Sequence, residues 1–171
     1  VSINGTVVAQ EEYTAGAGDT RTVQVSTQGV ELAADGSYRV EALATDFAGN
    51  QWTETFVFYR DVTAPSIGAV EKAPAADWTT QLVQVNILQV EDAGDGCQAG
   101  VRRVLYSTEN DPETAQEASQ AEEGSYFFQV DEECDVRYYI WAEDQVGNIS
   151  EASQIPVRID RTAPAITAIT F

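Results

Sequence analysis

Hydrophobic and polar residues alternate in short bursts along this chain, with the period of two that a half-buried β-strand requires. Val40, Ala42 and Ala44 share one face of such a burst, and Tyr138, Ile140 and Ala142 share another. The pattern predicts strands over Val1–Val8, Thr22–Leu32, Tyr38–Thr45 and Gln51–Tyr59. Further along it predicts a first strand near Ile67–Glu71, then Leu82–Val90, Val101–Ser107, Tyr126–Val130, Val136–Glu143 and Ser153–Ile159. Glu109–Gly124 breaks the alternation as a polar, acidic loop, in which Pro112 suits the first turn of a short helix. The expectation is an all-β chain.

The bursts are organised by a repeat. Residues 38–50 end in Ala-Thr-Asp-Phe-Ala-Gly-Asn and residues 138–148 in Ala-Glu-Asp-Gln-Val-Gly-Asn. Asp46 and Asp144 stand 98 positions apart (144 − 46). Each is followed by a strand and then by Asp-x-Thr-Ala-Pro, at Asp61–Pro65 and Asp160–Pro164. The Asp side chain of such a turn accepts hydrogen bonds from amides two or three residues on, and Gly and Asn tolerate the positive φ that the turn requires. Proline then stops the sheet, because it lacks the amide donor. A period of this length fits one β-sandwich module. The predicted divisions are 1–62, a module lacking its opening strand or strands; 63–160, a complete module; and 161–171, a linker with the first strand of a following module over Ala165–Phe171. The incomplete first module admits two readings, a boundary that falls inside a module and completion by a strand from another chain.

These residues carry a family resemblance. Asp77-Trp-Thr-Thr-Gln-Leu-Val-Gln-Val-Asn, Gly100-Val-Arg-Arg-Val-Leu-Tyr-Ser-Thr, Tyr139-Ile-Trp-Ala-Glu-Asp-Gln-Val-Gly-Asn and Asp160-Arg-Thr-Ala-Pro resemble the bacterial Ig-like repeat modules of surface proteins. Val1-Ser-Ile-Asn-Gly resembles a mid-module strand and turn of the same family. The resemblance implies tandem immunoglobulin-like β-sandwiches in a secreted or cell-surface protein, with fibronectin type III modules as the nearest fold alternative. It does not imply one function, since such modules occur in adhesins, in stalks and in accessory parts of secreted enzymes.

Composition narrows the chemistry. There are 28 Asp and Glu against 9 Lys and Arg, a formal charge of −19, which repels nucleic acid and anionic lipid. No apolar run is long enough to span a membrane, and Val1-Ser2-Ile3-Asn4-Gly5 reads as a strand and a turn, so the opening residues are not expected to be a signal peptide. Without histidine the commonest general base, the usual zinc ligand and every histidine-dependent triad are missing. No carboxylate pair stands out for glycosidase-type work, so a non-catalytic role is expected. The expected partners are neighbouring copies or modules of the same protein, with a host or glycan ligand as the alternative.

Four constellations remain. In an immunoglobulin-like sandwich the linker Asp61 is expected near the Glu91–Gly96 loop and the Asp144–Asn148 turn, so that Asp61, Asp92, Asp95 and Asp144 offer calcium oxygen ligands on flexible loops, as in cadherin-like repeats. The competing reading is that these carboxylates cap their own turns. Cys97 and Cys134 form an even pair, which suggests a disulfide in a secreted chain. The strand layout puts them at opposite ends of the module, since the ten residues from Cys134 to Asp144 span about 33 Å of extended strand, which argues against it. Free thiols and a bond between chains are the alternatives. Lys72, the sole lysine, suits the first-strand position of an internal Lys–Asn crosslink, but it lies in a polar stretch. Trp52, Trp78, Trp141, Tyr138 and Tyr139 are either sugar-stacking residues or cross-strand pairs, with Trp141 expected on the outer sheet face.

Overall fold

The computed structural model describes residues 1–12, 32, 34–94 and 96–168. The chain divides into two compact units, Val1–Val62 with Gly94–Cys97, and Thr63–Ala93 with Gln98–Phe171. The described residues form an all-β fold of three four-stranded antiparallel sheets.

The first unit contains β1 (Ser2–Ile3), β2 (Thr6–Val7), β3 (Gly36–Thr45) and β4 (Gln51–Arg60), in the sheet order β2-β1-β3-β4. The opening segment is a hairpin, not the single strand expected over Val1–Val8. Asn4 (φ 46°) and Gly5 (φ 80°) both adopt the left-handed backbone of a two-residue hairpin turn, and Asn-Gly is the dipeptide best able to do so. The chain therefore reverses at once, and the Val8 amide returns to the Val1 carbonyl. β3 and β4 pair in register along their whole length, from Thr45 opposite Gln51 to Gly36 opposite Arg60. Ile3 and Tyr38 are buried, and Tyr38 stacks on Phe58 with ring centroids 5.3 Å apart. The strand expected over Thr22–Leu32 lies, apart from Leu32, outside the described residues.

The second unit contains β5 (Ser66–Ala73), β6 (Val83–Glu91), β7 (Val101–Ser107), β8 (Gln116–Glu117), β9 (Ser119–Glu122), β10 (Ser125–Val130), β11 (Cys134–Asp144) and β12 (Ser153–Ile159). They build two sheets, β5-β6-β10-β9 and β12-β11-β7-β8. Alternation places Val83, Val85 and Ile87 of β6 and Phe128 and Val130 of β10 on one side of a shared core, with Val104 of β7, Ile140 and Ala142 of β11 and Ile155, Val157 and Ile159 of β12 on the other. Burial of these aliphatic faces is the main force closing one sheet on the other. Tyr106 of β7 and Phe128 of β10 stack across the two sheets at 3.9 Å with a 2° interplanar angle, and Tyr138 tilts against Phe128 at 5.0 Å.

The acidic loop holds more order than its sequence suggests. The expected helical turn is a 3₁₀ turn over Pro112–Thr114, capped by Asp111, whose Oδ1 accepts the Glu113 amide. β8 then pairs with β7 in one sheet, and β9 pairs with β10 in the other. The chain crosses between the sheets at Ala118, which is 5% exposed and donates its amide to the Val104 carbonyl at 2.8 Å. A methyl group is all that the crossing inserts into the core.

The sheet β2-β1-β3-β4 of the first unit and the sheet β8-β7-β11-β12 of the second have the same antiparallel order. In both, a turn anchored on the repeated Asp joins the last two strands. The strand expected over Ala165–Phe171 is not formed in its described part, up to Ala168. Among the described residues no strand pairs with that segment, and an isolated strand is not stable.

Candidate functional site

The repeated turn is the feature with the most specific geometry. Asp144 ends β11 and is 0% exposed. Its Oδ1 accepts the amides of Val146 (2.9 Å), Gly147 (2.6 Å) and Asn148 (2.8 Å), and its Oδ2 accepts from Asn148 Nδ2 at 2.6 Å. Asp46 does the same work in the first unit. Its Oδ1 accepts Ala48 N (2.9 Å) and Asn50 N (2.8 Å), and its Oδ2 accepts Asn50 Nδ2 at 2.7 Å. Gly49 (φ 88°) and Gly147 (φ 97°) supply the left-handed backbone that brings these amides round to the carboxylate. The Asn50 side-chain amide, followed by the Asn50 backbone N–H, holds the exposed Asp46 carboxyl below its usual pKa.

Of the four carboxylates expected to ligate calcium, the second unit brings Asp92 and Asp144 together, with carboxylate oxygens within 4.8 Å of one another. Asp92 lies just after β6, and its Oδ2 accepts the Gly100 amide at 2.6 Å. Asp61 belongs to the first unit, where it follows β4 and is partly buried. Asp95 lies outside the described residues. Asp144 spends both oxygens on its own turn, so the capping role is realised whether or not a cation binds. Calcium needs six to eight oxygen ligands, and the pair supplies only part of such a shell. The linker carbonyl of Thr63 reaches the same turn, 3.5 Å from Asn148 Nδ2.

Next to Asp144, Glu143 is buried between two cations. Its Oε1 meets Arg102 Nη1 at 3.0 Å and its Oε2 meets Arg103 Nη2 at 2.6 Å. Such charge compensation is what a buried carboxylate requires. Trp141 lies opposite Leu105 on the outer face of the same sheet, as the alternation of β11 implies, and stacks on Tyr139 at 6.3 Å. It is buried, so it offers no sugar-stacking platform. Trp52 (62% exposed) and Phe56 (63%) do present aromatic faces, on β4 of the first unit.

Cys97 and Cys134 are both free thiols. Lys72 donates to the Pro156 carbonyl at 3.1 Å and is only partly buried, which does not match the fully buried lysine that an amide crosslink needs.

Sequence reasoning missed a second repeated contact. Asp35 Oδ1 accepts the amide of Val62 at 2.6 Å, and Glu133 Oε1 accepts the amide of Arg161. Val62 and Arg161 each follow the Asp that opens Asp-x-Thr-Ala-Pro. The second unit adds to this clasp: Arg161 also bonds the Asp131 carbonyl (2.6 Å), Asp131 Oδ1 (2.5 Å) and the Thr80 carbonyl (3.0 Å), and the Thr162 hydroxyl bonds Glu133. The readable signal was spacing, since Asp35 and Glu133 are 98 positions apart (133 − 35), as are the two turn aspartates. Beside this clasp lies an open groove of about 530 Å³, lined by Tyr106, Asp131, Glu133, Cys134 and Tyr138 among others. Burial, with the neighbouring Cys134, raises the Tyr138 pKa.

The chain matches no family model, no curated protein and no solved structure.

Proposed function

We propose that this chain is a non-catalytic structural piece of a bacterial cell-surface or secreted protein, built from tandem immunoglobulin-like β-sandwich modules and serving in a stalk, appendage or filament. The observation that carries the proposal is the recurrence, in both units, of one sheet order, one Asp-anchored turn and one carboxylate clasp on the departing linker. A device that fixes the direction of the departing chain suits a rod of modules better than a catalyst. Surface immunolabelling of intact cells of the source bacterium tests it: label on unpermeabilised cells supports the reading, and label only after lysis sinks it.

A second reading, an adhesin or carbohydrate-associated binding module, is favoured by the exposed Trp52 and Phe56. Glycan-array binding that is lost in Trp52→Ala would select it. Calcium fits either reading at the Asp92–Asp144 pair. The test is the melting temperature of chelator-treated protein on calcium addition, where no shift removes the ion from the proposal.

A further inference from the structure

Edge strands expose a row of backbone donors and acceptors, and proteins protect them with proline, charge or a covering segment. β12 and β4 are the edge strands of the two equally ordered sheets, and they are treated differently. β12 carries Pro156, whose missing N–H removes an outward donor, and the outward Pro156 carbonyl is taken by Lys72 Nζ at 3.1 Å. β4 carries Val57 at the matching place, since both residues stand four before the linker Asp (61 − 57 and 160 − 156). Among the described residues no strand pairs with the outer side of β4. The Asp46 amide bonds the Asn50 carbonyl at 3.0 Å, so the even-numbered residues of β4 continue the ladder with β3. Val57 and the other odd-numbered residues therefore turn their N–H and C=O groups outward. The strand is ten residues long, and its large side chains are solvent-exposed on both faces: Trp52 and Phe56 on one, Val57 and Tyr59 (73%) on the other.

We propose that β4 is a self-recognition edge that takes the β4 strand of a second copy of this chain in antiparallel alignment. Same-face pairing requires odd residues to meet odd and even to meet even. The register centred on Val57 satisfies this and sets Val57 opposite Val57, Phe56 opposite Phe58, Thr55 opposite Tyr59 and Glu54 opposite Arg60. The Glu54–Arg60 pair then occurs twice by symmetry. It supplies local attraction between two copies that each carry a formal charge of −19. A register centred on Phe56 would instead leave Glu54 against Phe58 and Arg60 against Trp52. The inference stands on the edge itself, so its failure leaves the module reading intact.

Sedimentation velocity of the full chain tests it, with Val57→Pro as the variant that copies the protection β12 already has. The expected result is a concentration-dependent dimer in the native chain and a monomer in Val57→Pro with an unchanged β-sheet circular dichroism spectrum. Because Val57→Pro risks disturbing β4, a charge-exchange series decides independently. Glu54→Arg and Arg60→Glu, made singly, each weaken the dimer about 10-fold, and the double exchange restores it. A native chain that is monomeric at every concentration overturns the proposal. So does a dimer that survives Val57→Pro, a double exchange that fails to restore what the single changes lose, or open-ended polymers in place of a closed dimer.

Discussion

Asp35 accepts the backbone hydrogen of Val62 at 2.6 Å, tying the residue before β3 to the residue that leaves β4. Glu133 holds Arg161 in the same way at the start of β11. A charged acceptor on a backbone amide is stronger than a neutral one, and here it restrains a segment that the sheet has already released.

Replacing Asp35 with Ala is therefore expected to free the Val62 amide, and Glu133→Ala the Arg161 amide. Each is expected to lose about 1 kcal/mol of local stability. Amide hydrogen exchange read residue by residue checks this. Protection at Val62 that survives Asp35→Ala would show that the contact does not restrain the linker.

The two turn aspartates differ in what surrounds them. Asp144→Ala strands three amides at a buried site, and the expected loss is about 3 kcal/mol in chemical denaturation. Asp46→Ala opens an exposed turn where water replaces the carboxylate, so its effect is expected to be clearly smaller. Equal losses at the two positions would contradict the burial of Asp144.

The depressed Asp46 pKa has a sign that can be followed. A carboxyl whose folded pKa lies below its unfolded value stabilises the fold above the unfolded value, about 4, and that contribution fades as pH falls through the folded one. Asn50→Ala removes the largest cause, so the Asp46 carboxyl should then titrate at higher pH. Carbon-detected NMR titration of Asp46 in both chains gives the answer, and an unmoved midpoint would refute the assignment.

At the other extreme of pH, Tyr138 is held neutral by burial and its neighbours. Its contribution is fully present below the ordinary tyrosine value, about 10, and is lost as pH rises through the higher folded value. Tyr138→Phe is expected to reduce this alkaline loss. The pH dependence of the melting temperature above neutrality measures it.

Phe128 joins the two sheets of the second unit through its stack with Tyr106. Phe128→Ala is expected to cost about 3 kcal/mol, because the cavity is bounded by two sheets that cannot both collapse into it. Urea denaturation checks the value.

Much of this architecture is legible in the residues. The alternation of β6, β10 and β12 and the spacing of Asp46 and Asp144 identify strands and turns that the structure contains, because buried faces and positive-φ turns leave compositional marks. The parts that escaped have physical reasons. β8 and β9 are short, exposed edge strands, and only Ala118, between them, enters the core, so no alternation marks them. Val1–Val8 reads as one strand unless the Asn4-Gly5 pair is given its weight as a reversal. The Asp35 and Glu133 clasps are single carboxylates acting on backbone, and only their common spacing sets them apart from the rest of an acidic surface. For Asp92 and Asp144 the sequence offered two roles, calcium ligands and turn caps; the structure shows Asp144 capping its own turn with both oxygens, with an Asp92 carboxylate oxygen within 4.8 Å.

The linker reaches the second unit beside Asn148, at one end of β11, and departs beside Glu133, at the other. β11 spans eleven residues, about 35 Å of extended backbone. Tension applied through the two linkers would thus run lengthwise along the strands. Neighbouring strands would have to slide past each other with many hydrogen bonds breaking together, which resists pulling far better than unzipping them one at a time. The two contacts, at opposite ends of β11, set that lengthwise direction.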